Sequence, residues 1–305
     1  MKKRLFALAT LLILTGCRIQ GLDNEQNDPI VTGEQDKVEA PAQTPVQTPA
    51  QTPVEVGFSI HVKKEQIHEG NLLLVNRVHA VPPEQGGEPA VNLFEHKELT
   101  KGFGLLDDSV RLSPDMTQKF TEMVSAAAKD GVDHFLISSG YRDEDEQNEL
   151  YEQMGAERAM PAGHSEHNLG LSLDIGSSLT EMNQAPEGKW LADNAWKFGF
   201  VLRYPKDKTA VTGIMYEPWH FRYVGLPHSA VMQEKNLTLE QYLADLKKHS
   251  ILTKFGGQTY EIFYFPISEN ENIRVPVSGS YEISGNNEDG VIVTVDTGPE
   301  GEDRP

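Results

Sequence analysis

Residues 165–174 read Ser165-Glu-His-Asn-Leu-Gly-Leu-Ser-Leu-Asp174, and this stretch decides both the fold and the candidate site. Apolar side chains alternate along it and just beyond it, at Leu169, Leu171, Leu173 and Ile175. This period of two is typical of a strand with one buried face, and it places Asp174 on the opposite, polar face. Gly170 favours a turn into that strand. Such a turn can bring His167 close to Asp174, whereas seven residues of continuous helix would separate them by ~10.5 Å along the axis.

A second stretch, residues 216–225, reads Tyr216-Glu-Pro-Trp-His-Phe-Arg-Tyr-Val-Gly225. Its histidine, His220, completes a candidate set of zinc ligands with His167 and Asp174. Two imidazoles and one carboxylate leave one position of a tetrahedral zinc ion open for a water molecule. Glu217 is then the candidate base for that water. Either stretch alone is weak evidence, because a surface histidine and an aspartate at a strand end are the common explanation of such spacing.

The remaining sequence predicts a mixture of helices and short strands. A helix begins at Ser113-Pro114, with serine as N-cap, and ends near Gly131. Residues 143–154 predict a helix with an acidic first turn, which its dipole favours. The run Leu72-Leu-Leu-Val75 is typical of a strand, and the chain after Phe255 is β-rich with Pro, Gly, Asn and Ser clusters between the strands. We therefore expect an α+β fold in which a small antiparallel sheet with flanking helices carries the zinc site, plus a small C-terminal β appendage.

The N-terminus has the layout of an export signal, with basic residues 2–4 and an apolar run to Leu14. The residues before Cys17 resemble a bacterial lipoprotein cleavage box, which predicts a lipid anchor at Cys17; an ordinary cleavage site with a chance cysteine is the alternative. The Pro-, Gln- and Thr-rich stretch that follows predicts an extended tether, or a disordered tail without a spacing role. The expected organisation is a signal peptide (1–16), a tether (17–56), a domain that carries the candidate zinc site (57–250), a β appendage (251–298) and an acidic tail (299–305).

The charge of the chain argues against a nucleic-acid partner, and its cysteine content excludes an internal disulfide. The 305 residues carry a formal charge of −19 and a single cysteine. We expect no nucleic-acid partner, because the phosphates would be repelled, and membrane attachment would depend on the lipid anchor. With one cysteine the chain forms no internal disulfide, so its stability must come from the core, or from the core and a metal.

Five stretches together resemble the VanY-type D-alanyl-D-alanine carboxypeptidases. They are residues 138–142, 163–167, 170–174, 202–205 and 217–225. The resemblance runs from about residue 70 to the C-terminus. It implies that one zinc ion per chain is bound by His167, Asp174 and His220, and that Glu217 is the catalytic base.

Three more residues are candidates for contact with the substrate. Arg142 is a candidate because a guanidinium matches the substrate's terminal carboxylate, or a developing oxyanion, in a two-pronged fork. The family resemblance implies that Gln147 and Ser165 lie beside the substrate carboxylate or backbone. The structural alternatives are a solvated arginine at a strand end, an exposed helix glutamine and a hydroxyl that caps a loop. We expect Trp219 to pack beneath the metal.

The resemblance implies an exported zinc D,D-carboxypeptidase that removes the terminal D-Ala from peptidoglycan stem pentapeptides ending in D-Ala-D-Ala. It also implies a contribution to resistance against vancomycin-type glycopeptides. The sequence has no Ser-x-x-Lys motif, so we expect penicillin insensitivity. The expected location is the outer face of the bacterial cytoplasmic membrane, with an N-terminal membrane anchor or secretion as alternatives. Rival interpretations are an L,D-carboxypeptidase, a D,D-dipeptidase, and a non-catalytic wall-binding lipoprotein, against which Glu217 argues.

Overall fold

The computed structural model describes residues 57–83 and 89–299. The signal peptide, the tether with Cys17 and residues 300–305 of the acidic tail lie outside the described residues, so these expectations stay predictions. Within the described ranges, no helix combines the length and the apolar character that crossing a bilayer requires.

The strands of the described residues are β1 (Phe58–Val62), β2 (Val91–Asn92), β3 (Gly104–Leu105), β4 (Arg111–Leu112), β5 (Phe135–Ser139), β6 (Ser172–Ser177), β7 (Phe200–Leu202), β8 (His220–Tyr223), β9 (Ile251–Phe255), β10 (Gln258–Pro266), β11 (Glu271–Val275), β12 (Ser280–Gly285) and β13 (Gly290–Pro299). The α-helices are α1 (Pro114–Lys129), α2 (Glu144–Met154), α3 (Glu166–Leu169), α4 (Pro186–Asn194), α5 (Thr209–Thr212), α6 (His228–Glu234) and α7 (Leu239–Leu246). Two 3₁₀ turns lie at Lys64–His68 and Ala195–Phe198.

A five-stranded sheet with the order β3-β5-β6-β8-β7 carries the candidate site. Strand β3 runs parallel to β5, and the other neighbouring pairs are antiparallel. Helices α1 and α4 cover one face through a shared core that includes Phe120, Leu191, Ile137 and Leu173. The α+β expectation is confirmed, with a parallel edge strand added to the antiparallel sheet.

Helix α1 begins and ends where its sequence predicts. The Ser113 side chain accepts a hydrogen bond from the backbone N–H of Met116 at 3.2 Å, and Pro114 occupies the first turn. Such an N-cap contributes ~1 kcal/mol to helix stability. The apolar residues at helical spacing are buried, and the helix ends before Gly131, whose φ is +77°.

The run Leu72–Val75 is buried but is not a strand, so that expectation was wrong. Its backbone groups bond to side chains and loops instead of to a neighbouring strand. The N–H of Leu72 donates to Ser284 Oγ at 2.9 Å, and the N–H of Leu74 donates to the Asn286 carbonyl at 3.1 Å. An apolar run of four residues is compatible with any buried conformation, and these tertiary partners decided which one forms.

The C-terminal segment forms a four-stranded antiparallel sheet with the order β12-β13-β10-β9. The segment's β11 pairs with β1, which begins the described chain. Ile262 and Ile292 of the sheet share a buried cluster with Leu239 and Leu243 of α7. The β-rich character is therefore present, and it is packed against the helices that follow the candidate site.

Candidate metal centre and catalytic site

Two antiparallel strands bring the first two candidate ligands together. Asp174 of β6 lies directly opposite His220 of β8 in the strand register. Directly opposed residues on one face of a sheet have Cβ atoms about 4.5–5.5 Å apart. Asp174 Oδ1 accordingly lies 3.1 Å from His220 Nδ1. On either side of Asp174, Leu173 and Ile175 are fully buried, so the predicted alternation is confirmed within β6. It does not extend to Leu169, which lies on α3 instead of on the strand.

A single helical turn places the third candidate, His167. It lies on α3, which Ser165 caps by accepting a hydrogen bond from the backbone N–H of His167 at 3.3 Å. Gly170 ends this turn with φ +76°, a conformation that glycine adopts without strain. The chain then enters β6. The expected turn into a strand is confirmed, and its first half is a short helix.

The three side chains form a compact triangle of donor atoms. His167 Nε2 lies 3.3 Å from His220 Nδ1 and 3.4 Å from Asp174 Oδ1. With the 3.1 Å between Asp174 and His220, all three edges are nearly equal. A tetrahedral zinc ion with bonds of about 2.0–2.1 Å has ligand atoms roughly 3.3–3.4 Å apart. The triangle therefore has the dimensions of one face of such a site.

Hydrogen bonds on the far side of each imidazole orient the two rings toward the triangle. His167 Nδ1 lies 2.6 Å from the Gly140 carbonyl oxygen and must donate to it, which leaves Nε2 as the lone-pair atom. His220 Nε2 lies 3.4 Å from Glu166 Oε2, which leaves Nδ1 as the lone-pair atom. Metal-binding histidines characteristically have such a carbonyl or carboxylate behind them. Two lone pairs and a carboxylate that converge in this way fit a cation, and a set of two imidazoles and one carboxylate fits zinc.

When no metal is bound, the pKa values of the two histidines differ widely because their surroundings differ. Burial, assisted by the positive charge of Arg142, lowers the pKa of His167 to about 4. Burial also acts to lower the pKa of His220, but hydrogen bonds to Asp174 and Glu166 raise it to about 9. A proton on His220 therefore supplies the positive charge that the triangle requires, and a metal ion would displace it.

Glu217 lies beside the triangle without belonging to it. Its Oε2 is 3.8 Å from His220 Nδ1, and its side chain is 13% exposed. Burial raises the pKa of the Glu217 carboxyl to about 7, against the opposing effect of His220. A carboxyl that exchanges its proton near neutral pH is suited to act as base and then as acid.

Arg142 is held by two neutral side chains at the entrance to the site. Its Nε donates to Gln147 Oε1 at 3.0 Å and its Nη1 donates to Ser139 Oγ at 2.8 Å. Nη1 also lies 3.7 Å from Asp174 Oδ2. Nη2 has no partner among the described residues, so it is available to a substrate oxygen. Arg142 is thus not a solvated arginine at a strand end.

Gln147 and Ser165 both line the same cavity as the triangle, which has a volume of about 270 Å³. Gln147 is 1% exposed and donates to the Met160 carbonyl at 2.6 Å, so it is not an exposed helix glutamine. Ser165 caps α3, as in the structural alternative, and it also lines the cavity, as the predicted substrate contact requires. The structure brings together all seven side chains that the sequence singled out: Arg142, Gln147, Ser165, His167, Asp174, Glu217 and His220.

Trp219 does not pack beneath the triangle. It is 40% exposed and lines both the cavity and a neighbouring groove of about 530 Å³. Its backbone carbonyl accepts a hydrogen bond from Ile175 N at 2.9 Å, which fixes the main chain and leaves the indole at the cavity mouth. The expectation that Trp219 packs beneath the metal was therefore wrong. Trp219 directly precedes β8, and a side chain at the end of a strand can lie on either face of the sheet.

Sequence reasoning missed two residues of the site. Tyr204 is 4% exposed, lines the cavity and has its ring centroid 4.9 Å from that of His220. Glu166, between Ser165 and His167, is fully buried and lies behind His220. The sequence offered one indication of Glu166. Arg203 and Arg222 lie in or next to predicted strands, and a guanidinium group buried there requires a carboxylate partner.

The chain is similar to known D-alanyl-D-alanine carboxypeptidases. Residues 109–226 match the family described as D-alanyl-D-alanine carboxypeptidase, VanY. The chain is 59% identical over 235 residues to a D-alanyl-D-alanine carboxypeptidase of Enterococcus faecium, an alignment that covers 77% of this chain and 78% of that protein. It is 37% identical to the bifunctional D-Ala-D-Ala dipeptidase and D-Ala-D-Ala carboxypeptidase VanXYC of Enterococcus gallinarum, over 45% of this chain and 79% of that protein.

Among solved structures, the fold is similar to that of the vancomycin resistance D,D-dipeptidase VanXYg in complex with a D-Ala-D-Ala phosphinate analog. The TM-score is 0.68 and the sequence identity is 28%, over 78% of this chain and 98% of that one. The similarity therefore extends beyond the residues of the site to the arrangement of the sheet and helices.

Proposed function

Because the chain belongs to the VanY family of D-alanyl-D-alanine carboxypeptidases, we propose that it removes the terminal D-Ala from peptidoglycan stem pentapeptides with the help of one zinc ion. The observation that carries the proposal is the triangle of His167, Asp174 and His220 with Glu217 beside it. A binding module has no need of a buried carboxylate at that position, whereas a hydrolase needs a base there.

The three residues of the triangle would hold the zinc ion. When bound at such a site, zinc acts as a Lewis acid on a carbonyl oxygen and lowers the pKa of a coordinated water to about 7. The hydrogen bonds from His167 to Gly140 and from His220 to Glu166 keep both ligand rings oriented before the metal arrives.

Glu217 moves the proton of the reaction. Its carboxylate takes a proton from the attacking water, and the protonated carboxyl then gives that proton to the leaving amine of D-Ala. Burial favours the protonated form of this carboxyl and, without a metal, raises its pKa to about 7, which supports the return of the proton to the leaving amine.

Arg142 binds the negative charge of the substrate. Since its Nε and one Nη1 proton are used by Gln147 and Ser139, its remaining N–H groups can donate to the terminal carboxylate or to the oxyanion that forms at the scissile carbonyl. The two neutral partners orient the guanidinium, and the Asp174 carboxylate, 3.7 Å from Nη1, is the one that would also hold the metal. Gln147 and Ser165 complete the polar wall on this side of the cavity.

The proposal extends to the cellular role. Loss of the terminal D-Ala removes the D-Ala-D-Ala end that glycopeptide antibiotics bind, so the activity would contribute to resistance against vancomycin-type drugs. The export signal and the lipoprotein-like box at Cys17 support a position on the outer face of the cytoplasmic membrane, where the substrate is found. A zinc mechanism without a nucleophilic serine supports insensitivity to penicillin.

The experiment is mass analysis of the products that the purified protein forms from a muramyl pentapeptide, the matching tetrapeptide and free D-Ala-D-Ala. We expect tetrapeptide and D-Ala from the pentapeptide, full activity with penicillin present, and none after chelation until zinc is restored. Release of D-Ala from the tetrapeptide alone would instead identify an L,D-carboxypeptidase.

Hydrolysis of free D-Ala-D-Ala is the second candidate activity. It is favoured by the similarity to VanXYC, which is described as bifunctional, and by the fold shared with the D,D-dipeptidase VanXYg. The ratio of kcat/KM for the dipeptide and the pentapeptide decides between one activity and two.

A further inference from the structure

Glu166 is a charged residue of the site that faces away from the substrate cavity. It is 1% exposed and does not line the cavity, although its neighbours Ser165 and His167 do. Its Oε2 lies 3.4 Å from His220 Nε2, on the side of the imidazole ring opposite to the triangle. Its Oε1 accepts two hydrogen bonds, from Arg203 Nε at 2.8 Å and from Arg222 Nη1 at 2.7 Å.

The two arginines are themselves fully buried, and each of their side-chain nitrogens donates at least one hydrogen bond. Arg203 directs Nη1 and Nη2 to the two oxygens of Glu240, at 3.0 and 2.6 Å. Arg222 directs Nη2 to the carbonyl oxygens of Asn71 and Leu73, both at 2.9 Å. These four charged groups, Glu166, Arg203, Arg222 and Glu240, form a neutral cluster that we call the arginine cluster. Its first three members are buried, and the Glu240 side chain is 16% exposed.

A buried cluster of this kind is not an efficient source of stability. Removing four charges from water is costly, and their mutual attraction repays the cost only when the geometry is very good. Apolar residues of similar volume commonly stabilise a fold as well or better. What the arginine cluster does provide is one fixed position for the Glu166 carboxylate, because two guanidinium groups hold Oε1 while Oε2 faces His220.

We propose that Glu166 is a positioning residue of the metal centre. By accepting the Nε2–H of His220, it fixes both the orientation of that ring and the tautomer whose Nδ1 lone pair belongs to the triangle. The arginine cluster, built from α3, β8, α7 and the loop after β7, holds Glu166 in place. This inference rests on the zinc site of the proposed function.

The test compares Glu166→Gln with Glu240→Gln in the full chain. Each variant removes one carboxylate charge from the arginine cluster, but only Glu166→Gln changes the group that faces His220. The amide oxygen should stay with the two arginine donors, so the NH2 group replaces the acceptor oxygen opposite His220 Nε2. The primary readout is the zinc dissociation constant, measured by competition with a chromophoric chelator. We expect Glu166→Gln to weaken zinc binding by about 10- to 100-fold, the usual effect of losing a hydrogen-bond partner behind a metal ligand. Glu240→Gln should bind zinc within about threefold of the wild type.

A spectroscopic readout separates positioning from general loss of stability. Cobalt(II) in place of zinc gives a visible absorption spectrum that reports the ligand set. The spectrum should change in Glu166→Gln and stay as in the wild type in Glu240→Gln. If Glu166→Gln does not fold, Glu166→Asp serves in its place, since it keeps the charge for the arginines and is one methylene too short to reach His220.

Wild-type zinc affinity and an unchanged cobalt spectrum in the Glu166 variant would overturn the inference while leaving the proposed function intact. An equal loss of zinc affinity in both variants would also overturn it, because the effect would then come from the charge of the arginine cluster. A wild-type protein that binds no zinc would instead overturn the proposed function.

Discussion

His167 Nε2 and His220 Nδ1 lie 3.3 Å apart, although 53 residues separate them in the chain. Each ring is held from behind by an acceptor, so the two nitrogen atoms meet with lone pairs directed into the same space as the Asp174 carboxylate. Without a cation this arrangement is repulsive, and in the metal-free protein the proton on His220 supplies the charge. The ligand atoms are therefore already oriented for a metal ion before one binds.

Metal removal should lower both activity and stability. Chelation is expected to abolish hydrolysis and to lower the unfolding temperature, since a ligand present at 1,000 times its dissociation constant stabilises the folded state by about 4 kcal/mol. Thermal unfolding with and without zinc measures the effect. The control is Asp174→Asn, whose unfolding temperature should respond only weakly to zinc. Equal zinc responses in the two proteins would contradict the assignment of Asp174 as a ligand.

Glu217→Gln should separate catalysis from metal binding. The amide cannot accept the proton of the attacking water, so we expect kcat to fall by about 10²- to 10⁴-fold. Zinc content should stay near one per chain, because Glu217 lies outside the triangle. Steady-state kinetics together with metal analysis of the same sample test this. A variant with unchanged kcat would support the non-catalytic wall-binding interpretation.

Arg142→Lys keeps the charge and loses the planar fork. A lysine cannot bond to Ser139 and Gln147 while also binding a substrate oxygen in two-pronged geometry. We expect kcat/KM to fall by about 10- to 150-fold, the equivalent of one charged hydrogen bond of about 1.5–3 kcal/mol. Arg158→Lys is the matched control. This exposed arginine lines the same cavity and has no ion pair within the described ranges, so its replacement should change kcat/KM by less than about threefold.

Trp219→Ala should affect substrate binding more than chemistry. The indole lies at the mouth of the cavity, beside the groove into which the rest of a stem peptide can extend. We expect KM for the pentapeptide to rise by about 3- to 10-fold, the value of one aromatic contact, with kcat nearly unchanged. Tyr216→Ala removes a neighbouring aromatic residue that is 38% exposed and does not line the cavity. A comparable rise in KM in that variant would exclude a specific role for Trp219.

His228 should make the protein less stable in acid. Its ring is buried between the Tyr242 hydroxyl at 2.7 Å and Thr294 Oγ1 at 3.2 Å, and burial lowers its pKa from 6.5 to about 3. Between these values the unfolded chain binds a proton that the folded protein does not. The free energy of unfolding therefore falls as the pH drops from about 6.5 toward 3, by up to about 1.4 kcal/mol per pH unit.

Urea denaturation of the wild type and of His228→Gln, both with chelator so that metal release does not contribute, measures this effect. The wild type should be the more stable protein at pH 7, and the difference between the two should shrink as the pH is lowered to 5. A difference that stays constant over this range would show that His228 does not titrate with unfolding.

Local sequence patterns were enough to predict most elements around the site and the chemical nature of the site. Ser113-Pro114 fixed the start of α1, and the alternation through Leu173 and Ile175 placed Asp174 on a polar face, because capping and periodicity act within a few residues. The family pattern supplied the candidate ligands and the base. The domain boundaries and the lipid anchor at Cys17 stay predictions.

How these residues meet depends on contacts between parts of the chain that are far apart in sequence. The register of β6 against β8 sets the distance from Asp174 to His220, and the Gly140 carbonyl and Glu166 choose the tautomers of the two imidazole rings. Tertiary contacts also set the non-strand conformation at Leu72–Val75 and the exposed position of Trp219. Such contacts join residues far apart in the chain, and their energies depend on burial and orientation, which no local pattern of side chains records.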